Sequence, residues 1–319
     1  MQNEKNKFPE LDDFLTSLRI GEAQTHKNLT VYPVFSDKAG NNGYKLLDEA
    51  IKTELFQVME VSDGGSVPDL KVINKLDEDV LILDGEELVG AKQNRIVNTT
   101  IIIVKRKEMV IPVSCVEQGR WSYKGRRFVS SKWSLSADIR KEKSRAVKAN
   151  LQEHAAFSSD QSLIWSRISE KAASLNVACE TGAMGSMYET YEGDLKEYGD
   201  AFPVQAWQIG FVAVIDGKIV GCDVLALKAL FPKVLAKMLS GYLLDAVEQL
   251  RHARPARKRA KVASAADVHA FFDKVKSSKK EAYASAGEGT DIRFEHSRVN
   301  GFAVVRDGAV IHMAAFPEN

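Results

Sequence analysis

GFVAVIDGKIV, Gly210 to Val220, reads as two short apolar strands folded back around Asp216-Gly217. An Asp-Gly pair suits a two-residue type I′ turn, because both central residues must take positive φ. GFAVVRDGAVI, Gly301 to Ile311, aligns on this stretch without a gap, and VLILDGEELVG, Val80 to Gly90, shares its middle. Either Asp-Gly hairpins converge on one local pattern, or one supersecondary unit is used more than once. Both readings build the sheet from hairpins, so its strands run antiparallel or mixed.

The rest of the chain supplies helices. Phe14, Leu15 and Leu18 predict a short opening helix, and Leu29–Phe35 a strand. Leu47, Ile51, Leu55 and Val58 fall on one helical face, which predicts an amphipathic helix over Tyr44–Glu60. From Leu70 to Val116 the signal is β, and from Ala137 to Leu175 it is helical. Thr181–Asp200 is polar and reads as loop with one helix; its TGAMGS stretch lacks the spacing of a phosphate-binding loop. Phe231–Leu250 is a helix that tolerates Pro232 in its first turn, and Ala265–Lys276 is another. The class is therefore α+β, a mixed or antiparallel sheet built from hairpins and packed with several helices. We expect one domain over residues 1–319 with two lobes. Residues 1–130 form the β-rich lobe, residues 131–319 a helical segment plus two hairpins, and residues 251–262 a basic linker.

Bulk properties exclude several function classes. The formal net charge is +1, which argues against a nucleic-acid binder, since phosphate affinity needs an excess of Lys and Arg. The basic run Arg251–Lys261, broken by Pro255, fits a solvated connector. Cys115, Cys179 and Cys222 are too few and too far apart for a disulfide framework or a zinc knuckle. The polar N-terminus and the lack of a run of roughly twenty apolar residues predict a cytoplasmic protein with no membrane span.

Two polar blocks border the apolar runs. In GAKQNRIVNTTIIIV, Gly90 to Val104, Gln93, Asn94 and Asn98 offer paired donors and acceptors, Arg95 a planar fork, and Lys92 a point charge. Such a set can read a base or ribose edge while neutralising a phosphate. In VIPVSCVEQ, period-two alternation puts Ile111, Val113, Cys115 and Glu117 on one face, followed by Gln118, Arg120 and Trp121. Trp121 or Tyr123 would stack on a base, and Arg120, Arg126 or Arg127 would meet phosphate. An Asp84-Gly85 hairpin would pair Leu83 with Glu86, Leu81 with Leu88, Ile82 with Glu87 and Val80 with Val89. Glu86 then sits at a desolvated rim and becomes an acid/base candidate, the alternative being a solvated turn carboxylate. Cys115 is either a buried small hydrophobe or a nucleophile that needs a lowered pKa. Asp84, Glu86, Glu87 and Glu117 offer carboxylates for Mg²⁺, though no tight spacing enforces a metal site.

DGEELVGAKQNRIVNTT followed by IPVSCVEQGRW resembles the domain family named for its association with ADP-ribosylglycohydrolase and rhodanese-phosphatase superfamily proteins. The resemblance continues through IGFVAVIDGKIVGCDV, Ile209 to Val224. It implies an α+β fold and a role in prokaryotic conflict systems beside enzymes of ADP-ribose metabolism. The polar signature it marks falls here on Glu86, Asn94, Cys115 and Glu117, with neighbours Gln93, Arg95 and Arg120. We therefore expect a pocket for a small phosphate-bearing ligand of the NAD or ADP-ribose class, acted on by hydrolysis with Glu86 or Glu117 as the acid/base. The alternative is a non-catalytic nucleotide sensor or a scaffold for a partner enzyme.

Overall fold

The computed structural model describes residues 8–40, 43–252 and 262–318, and both ends of that chain lie in one sheet. Helix α1 (Pro9–Ser17) leads into β1 (Arg19–Ile20), β2 (Gln24–His26) and β3 (Leu29–Phe35). A long excursion follows, through β4 (Lys45–Leu46), α2 (Leu47–Ile51), β5 (Phe56–Glu60), β6 (Asp69–Asn74), β7 (Val80–Ile82) and β8 (Glu86–Gly90). It continues with β9 (Arg95–Val97), β10 (Ile101–Ile103), β11 (Lys107–Cys115) and β12 (Phe128–Ser134). Helices α3 (Ala137–His154), α4 (Gln161–Ser174), α5 (Gly185–Thr190) and α6 (Glu192–Asp200) complete it. The chain returns with β13 (Gly210–Ile215), β14 (Lys218–Leu225) and α7 (Phe231–His252). It closes on α8 (Ala265–Ser277), β15 (Lys279–Ala284), β16 (Thr290–His296), β17 (Val299–Arg306) and β18 (Ala309–Pro317).

The large sheet has nine strands in the order β1-β3-β13-β14-β18-β17-β16-β15, with β2 beside β3. A six-stranded sheet runs β12-β8-β9-β11-β6-β5, and a three-stranded one runs β10-β7-β4. Among the described residues every ladder is antiparallel except the short β4–β7 pair. The fold is α+β.

The two aligned hairpins are the same object. β13–β14 pairs Gly210 with Val224 and Ile215 with Lys218, and β17–β18 pairs Gly301 with Ala315 and Arg306 with Ala309. Both ladders slip register at the matching place, Ala213/Val214 and Val304/Val305. Asp216 and Gly217 have φ of 47° and 80°, and Asp307 and Gly308 of 52° and 72°, as type I′ turns demand. The equivalence extends outward: Val34 of β3 faces Gly210 as Phe294 of β16 faces Gly301. Ile20 lies on Val34 as Lys280 lies on Phe294. The halves meet at β14–β18, where Cys222 faces Ala315 and Val224 faces Met313, the pattern of a two-fold axis through Asp223 and Ala314. One helix-plus-four-strand unit is thus used twice, and its first copy opens between β3 and β13 to admit the excursion. Phe8, Leu11 and Leu15 on one copy and Val268, Phe271 and Val275 on the other share the spacing and pack into a common core.

A second core joins the excursion to the sheet, holding Leu29 and Phe211 together with Leu81, Ile96 and Tyr188. At its heart Arg140 of α3 donates Nε to Asp84 (3.0 Å) and both terminal nitrogens to Asp223 (2.8 Å each). Tyr242 and His312 also reach Asp223, and Lys143 pairs with Asp84. Every charge in this network has a partner, as burial requires.

Several expectations change. Tyr44–Glu60 is not one helix: α2 stops at Ile51 and Phe56–Glu60 is strand β5. Asp84-Gly85 closes a turn from Glu86 N to Leu83 O (3.2 Å), yet only Gly85 has positive φ, so the turn is type II. It hands the chain from one sheet to another: β7 pairs with β10 and β4, and β8 with β12 and β9. The expected β7–β8 ladder, with its Leu81–Leu88, Val80–Val89 and Ile82–Glu87 pairs, does not form. Thr181–Asp200 holds two helices, α5 and α6. A split near residue 130 does not follow the sheets, since residues 9–35 belong with 210–317. Most of the basic run, residues 253–261, lies outside the described residues.

Candidate functional site

The two polar blocks meet because β11 and β9 are neighbours, with Cys115 opposite Arg95 and Ser114 opposite Ile96. Just past that ladder Glu117 becomes a hub. Its Oε2 accepts from Arg120 Nε (2.9 Å) and from the backbone N–H of Asn94 (3.2 Å), and its Oε1 accepts from Thr181 Oγ1 (2.9 Å). Burial opposes ionisation here, but these bonds outweigh it and hold the Glu117 carboxyl below the usual range. Arg120 spends its other donors on the carbonyls of Gly90, Ala91 and Ser122 and on Asn94 Oδ1 (3.0 Å). Glu117, Arg120 and Asn94 therefore pin the 90–95 and 117–122 loops, each with its hydrogen-bonding capacity largely committed.

Arg95 differs. Its side chain is fully buried and donates one hydrogen bond, Nη1 to Gln93 Oε1 (3.1 Å), while Nε and Nη2 have no hydrogen-bond partner among the described residues. Burial pulls its pKa down, against the opposing influence of Cys115 and Glu60. Glu60, at the end of β5, brings Oε1 to 3.8 Å from Nη2. That oxygen accepts from the backbone of Lys92 (3.3 Å), and Oε2 is buried without a partner. Glu60 also lines a cavity of about 280 Å³ with Met59, Ser62, Asp63, Tyr123 and Arg126. Lys92 Nζ lies 5.3 Å from the ring of Trp121 and 5.2 Å from that of Tyr123, and the Arg95 guanidinium is 5.6 Å from Trp121. Both aromatic rings are nearly half exposed. A buried guanidinium with two nitrogens outside any hydrogen bond costs about a few kcal/mol unless something accepts from them, as expected for desolvated polar groups. An oxyanion would.

The predicted residues divide accordingly. Lys92, Gln93, Asn94, Arg95, Cys115, Glu117, Gln118, Arg120 and Trp121 gather around this corner, Gln118 through its carbonyl to Gln93 (3.4 Å). Burial pushes the Cys115 thiol up to about 11 despite nearby Arg95, so it stays protonated at neutral pH. Two residues are elsewhere. Asn98 ties Ser114 (2.7 Å) to the carbonyl of Phe157 (3.0 Å). Glu86 sits at the far end of β8, where Lys237 and the Leu83 N–H take its two oxygens at 3.1 and 3.2 Å. Burial raises its pKa and Lys237 opposes the rise.

Asp84, Glu86 and Glu117 are paired with different cations, so with Glu87 they do not gather as one metal-binding set. A tighter acidic group, Asp138, Asp245 and Glu248, has ligand atoms within 4.8 Å of one another. Lys171 Nζ already reaches all three, standing where a cation would. Glu60 was missed because the Tyr44–Glu60 reading made it helical. The signal was present: Phe56, Val58 and Glu60 alternate with half-buried Gln57 and Met59 along one strand face.

The fold and this corner define an α+β domain with a polar, aromatic-rimmed pocket at a strand end. Residues 17–316 match the ARG and Rhodanese-Phosphatase-superfamily-associated Protein domain, and the chain belongs to that family. Neither the curated proteins nor the solved structures contain a match. Among the described residues no helix is long and apolar enough to cross a membrane.

Proposed function

We propose that the Arg95–Glu60 pocket binds a phosphate-bearing small molecule of the NAD or ADP-ribose class and hydrolyses it. The observation that carries this reading is the pair of buried groups with unmade hydrogen bonds, Arg95 Nε and Nη2 and Glu60 Oε2, with Glu60 and Tyr123 lining the cavity and the Trp121 ring 5.6 Å from the Arg95 guanidinium. Arg95 would take a phosphate oxygen, Lys92 would add charge, and an aromatic ring would stack on the base. Glu60, with one oxygen uncommitted, would activate water. The ligand class comes from the family's named association with ADP-ribosylglycohydrolase and rhodanese-phosphatase superfamily proteins, which also supports partner enzymes; a cytoplasmic setting and a role in prokaryotic conflict belong to the same proposal.

The test is product analysis by mass spectrometry. Purified protein, with and without Mg²⁺, is incubated with NAD, ADP-ribose, an ADP-ribosylated peptide and common nucleotides. A product formed by the wild type and lost in Glu60→Gln, with ligand binding retained, supports hydrolysis. Binding without any product makes the domain a nucleotide sensor or scaffold. No binding to any of these compounds overturns the ligand class.

A further inference from the structure

Glu117 faces two ways. Beyond Thr181 its strand end forms a bridge with Ala183, and the loop from Cys179 into the start of α5 wraps there against the sheet. Within that loop Cys179 Sγ accepts from Ser186 Oγ (3.0 Å) and from the backbone N–H of Ala183 (3.3 Å), with Thr181 Oγ1 at 3.7 Å. Burial works against the thiolate, yet the bonds from Ser186, Ala183 and Thr181 outweigh it and bring the thiol below its ordinary range. Cys179 is half-buried, whereas Cys115 and Cys222 are sealed and their thiols pushed up.

A second group points at the same loop. Glu87 is 1% exposed, and its Oε1 has no hydrogen-bond partner among the described residues. Its two carboxylate oxygens lie 3.6 and 3.8 Å from the place a β-carbon on Gly185 would take, one residue before Ser186. A hydrogen bond from Ser131 holds the carboxyl, and Glu189 and Glu117 add negative charge around it. In β8, Glu87 stands opposite Ile96 while Leu88 stands opposite Arg95, so this group and the Arg95 pocket use opposite faces of the sheet.

We propose that Cys179 and Glu87 form a second site, in which the Cys179 thiolate attacks the carbonyl carbon of an uncharged acyl substrate and Glu87 carries the proton. The charges that act on Glu87, from Glu189 and Glu117, are both negative, which disfavours a phosphorylated substrate at this face. In the first step an Sγ–C bond forms and the bond to the alcohol or amine breaks, the leaving group departing with the proton held by Glu87. In the second, water attacks the thioester carbon and returns its proton to Glu87, releasing the acid and the Cys179 thiolate.

The experiment uses the full chain and p-nitrophenyl acetate as the acyl donor, followed by nitrophenolate release and by peptide mapping of the acetylated protein. Acetyl is expected on Cys179 and not on Cys115 or Cys222, with release continuing after the first turnover. Ser186→Ala should slow acetylation of Cys179. Glu87→Gln should keep the initial burst and slow the later phase by at least about 10-fold, the low end of what a positioned proton carrier supplies. A Cys179 that acetylates no faster than cysteine in an unfolded peptide overturns the proposal. So does a Glu87→Gln variant whose later phase matches the wild type.

Discussion

Glu117 and Glu87 are both sealed from water, and what surrounds each carboxylate decides how it titrates. Glu117 has Arg120, Thr181 and a backbone N–H. Glu87 has one serine and two like charges, and burial pushes its pKa up to about 7. A carboxyl whose folded pKa exceeds its unfolded value, here 4.5, gives stability that is complete below pH 4.5 and is lost as pH rises through about 7. Glu87→Gln should therefore be more stable than the wild type at pH 8, by up to roughly 3 kcal/mol, with the advantage vanishing near pH 4. Guanidinium unfolding at the two pH values checks it, and a pH-independent difference would count against a neutral Glu87. Breaking the buried pair at Glu117 should act oppositely. Arg120→Ala should cost about 3–5 kcal/mol, and Arg120→Met combined with Glu117→Gln should recover part of that loss. At this scale the sequence was legible in part: it singled out Arg95, Asn94, Glu117 and Arg120, which do converge. It could not say that Arg120 would spend most of its donors on backbone carbonyls while two Arg95 nitrogens stayed outside any hydrogen bond, because that depends on loop paths set by distant residues.

Among the elements, one dipeptide makes the point. Asp-Gly builds a type I′ hairpin at Asp216 and Asp307 but a type II sheet-to-sheet turn at Asp84. Local preference permits both, and the third case is settled by Arg140 and Lys143 capturing the Asp84 side chain from α3. Periodicity misled over Tyr44–Glu60 for a related reason. Leu47 and Val58 are buried, but Leu55 is half exposed and ends no helical stripe. Long helices and true hairpins, whose signals are redundant, were readable. A contact no pattern announces is Gln161, the first residue of α4, which accepts from Cys115 N and donates to Cys115 O, both at 2.8 Å. It acts as a one-residue strand on the end of β11. Gln161→Ala should cost about 1–3 kcal/mol for two hydrogen bonds and speed amide exchange at Cys115, while leaving the exchange of β6 unchanged.

The Arg140 network spans the whole molecule, joining the excursion through Asp84, the large sheet through Asp223 and His312, and α7 through Tyr242. Arg140→Met takes the guanidinium from two buried carboxylates, leaving Asp84 with Lys143 and Asp223 with Tyr242 and His312, and should lower stability by about 3–5 kcal/mol. Because the network crosses both parts, unfolding should shift as one transition for fluorescence and circular dichroism alike; separated transitions would mean that the parts unfold independently. The interrupted unit carries a further consequence, in time instead of space. During synthesis β3 leaves the ribosome well before β13, its neighbour in the finished sheet, with residues 36–209 made in between. The later copy, running from α8 to β18 without interruption, meets no such wait. Until β13 arrives, β3 is an apolar strand with an open edge, available to any other chain in the same state. The nascent chain is therefore most vulnerable to pairing with its own kind in the interval when its first strands are waiting for the middle of the protein to be made.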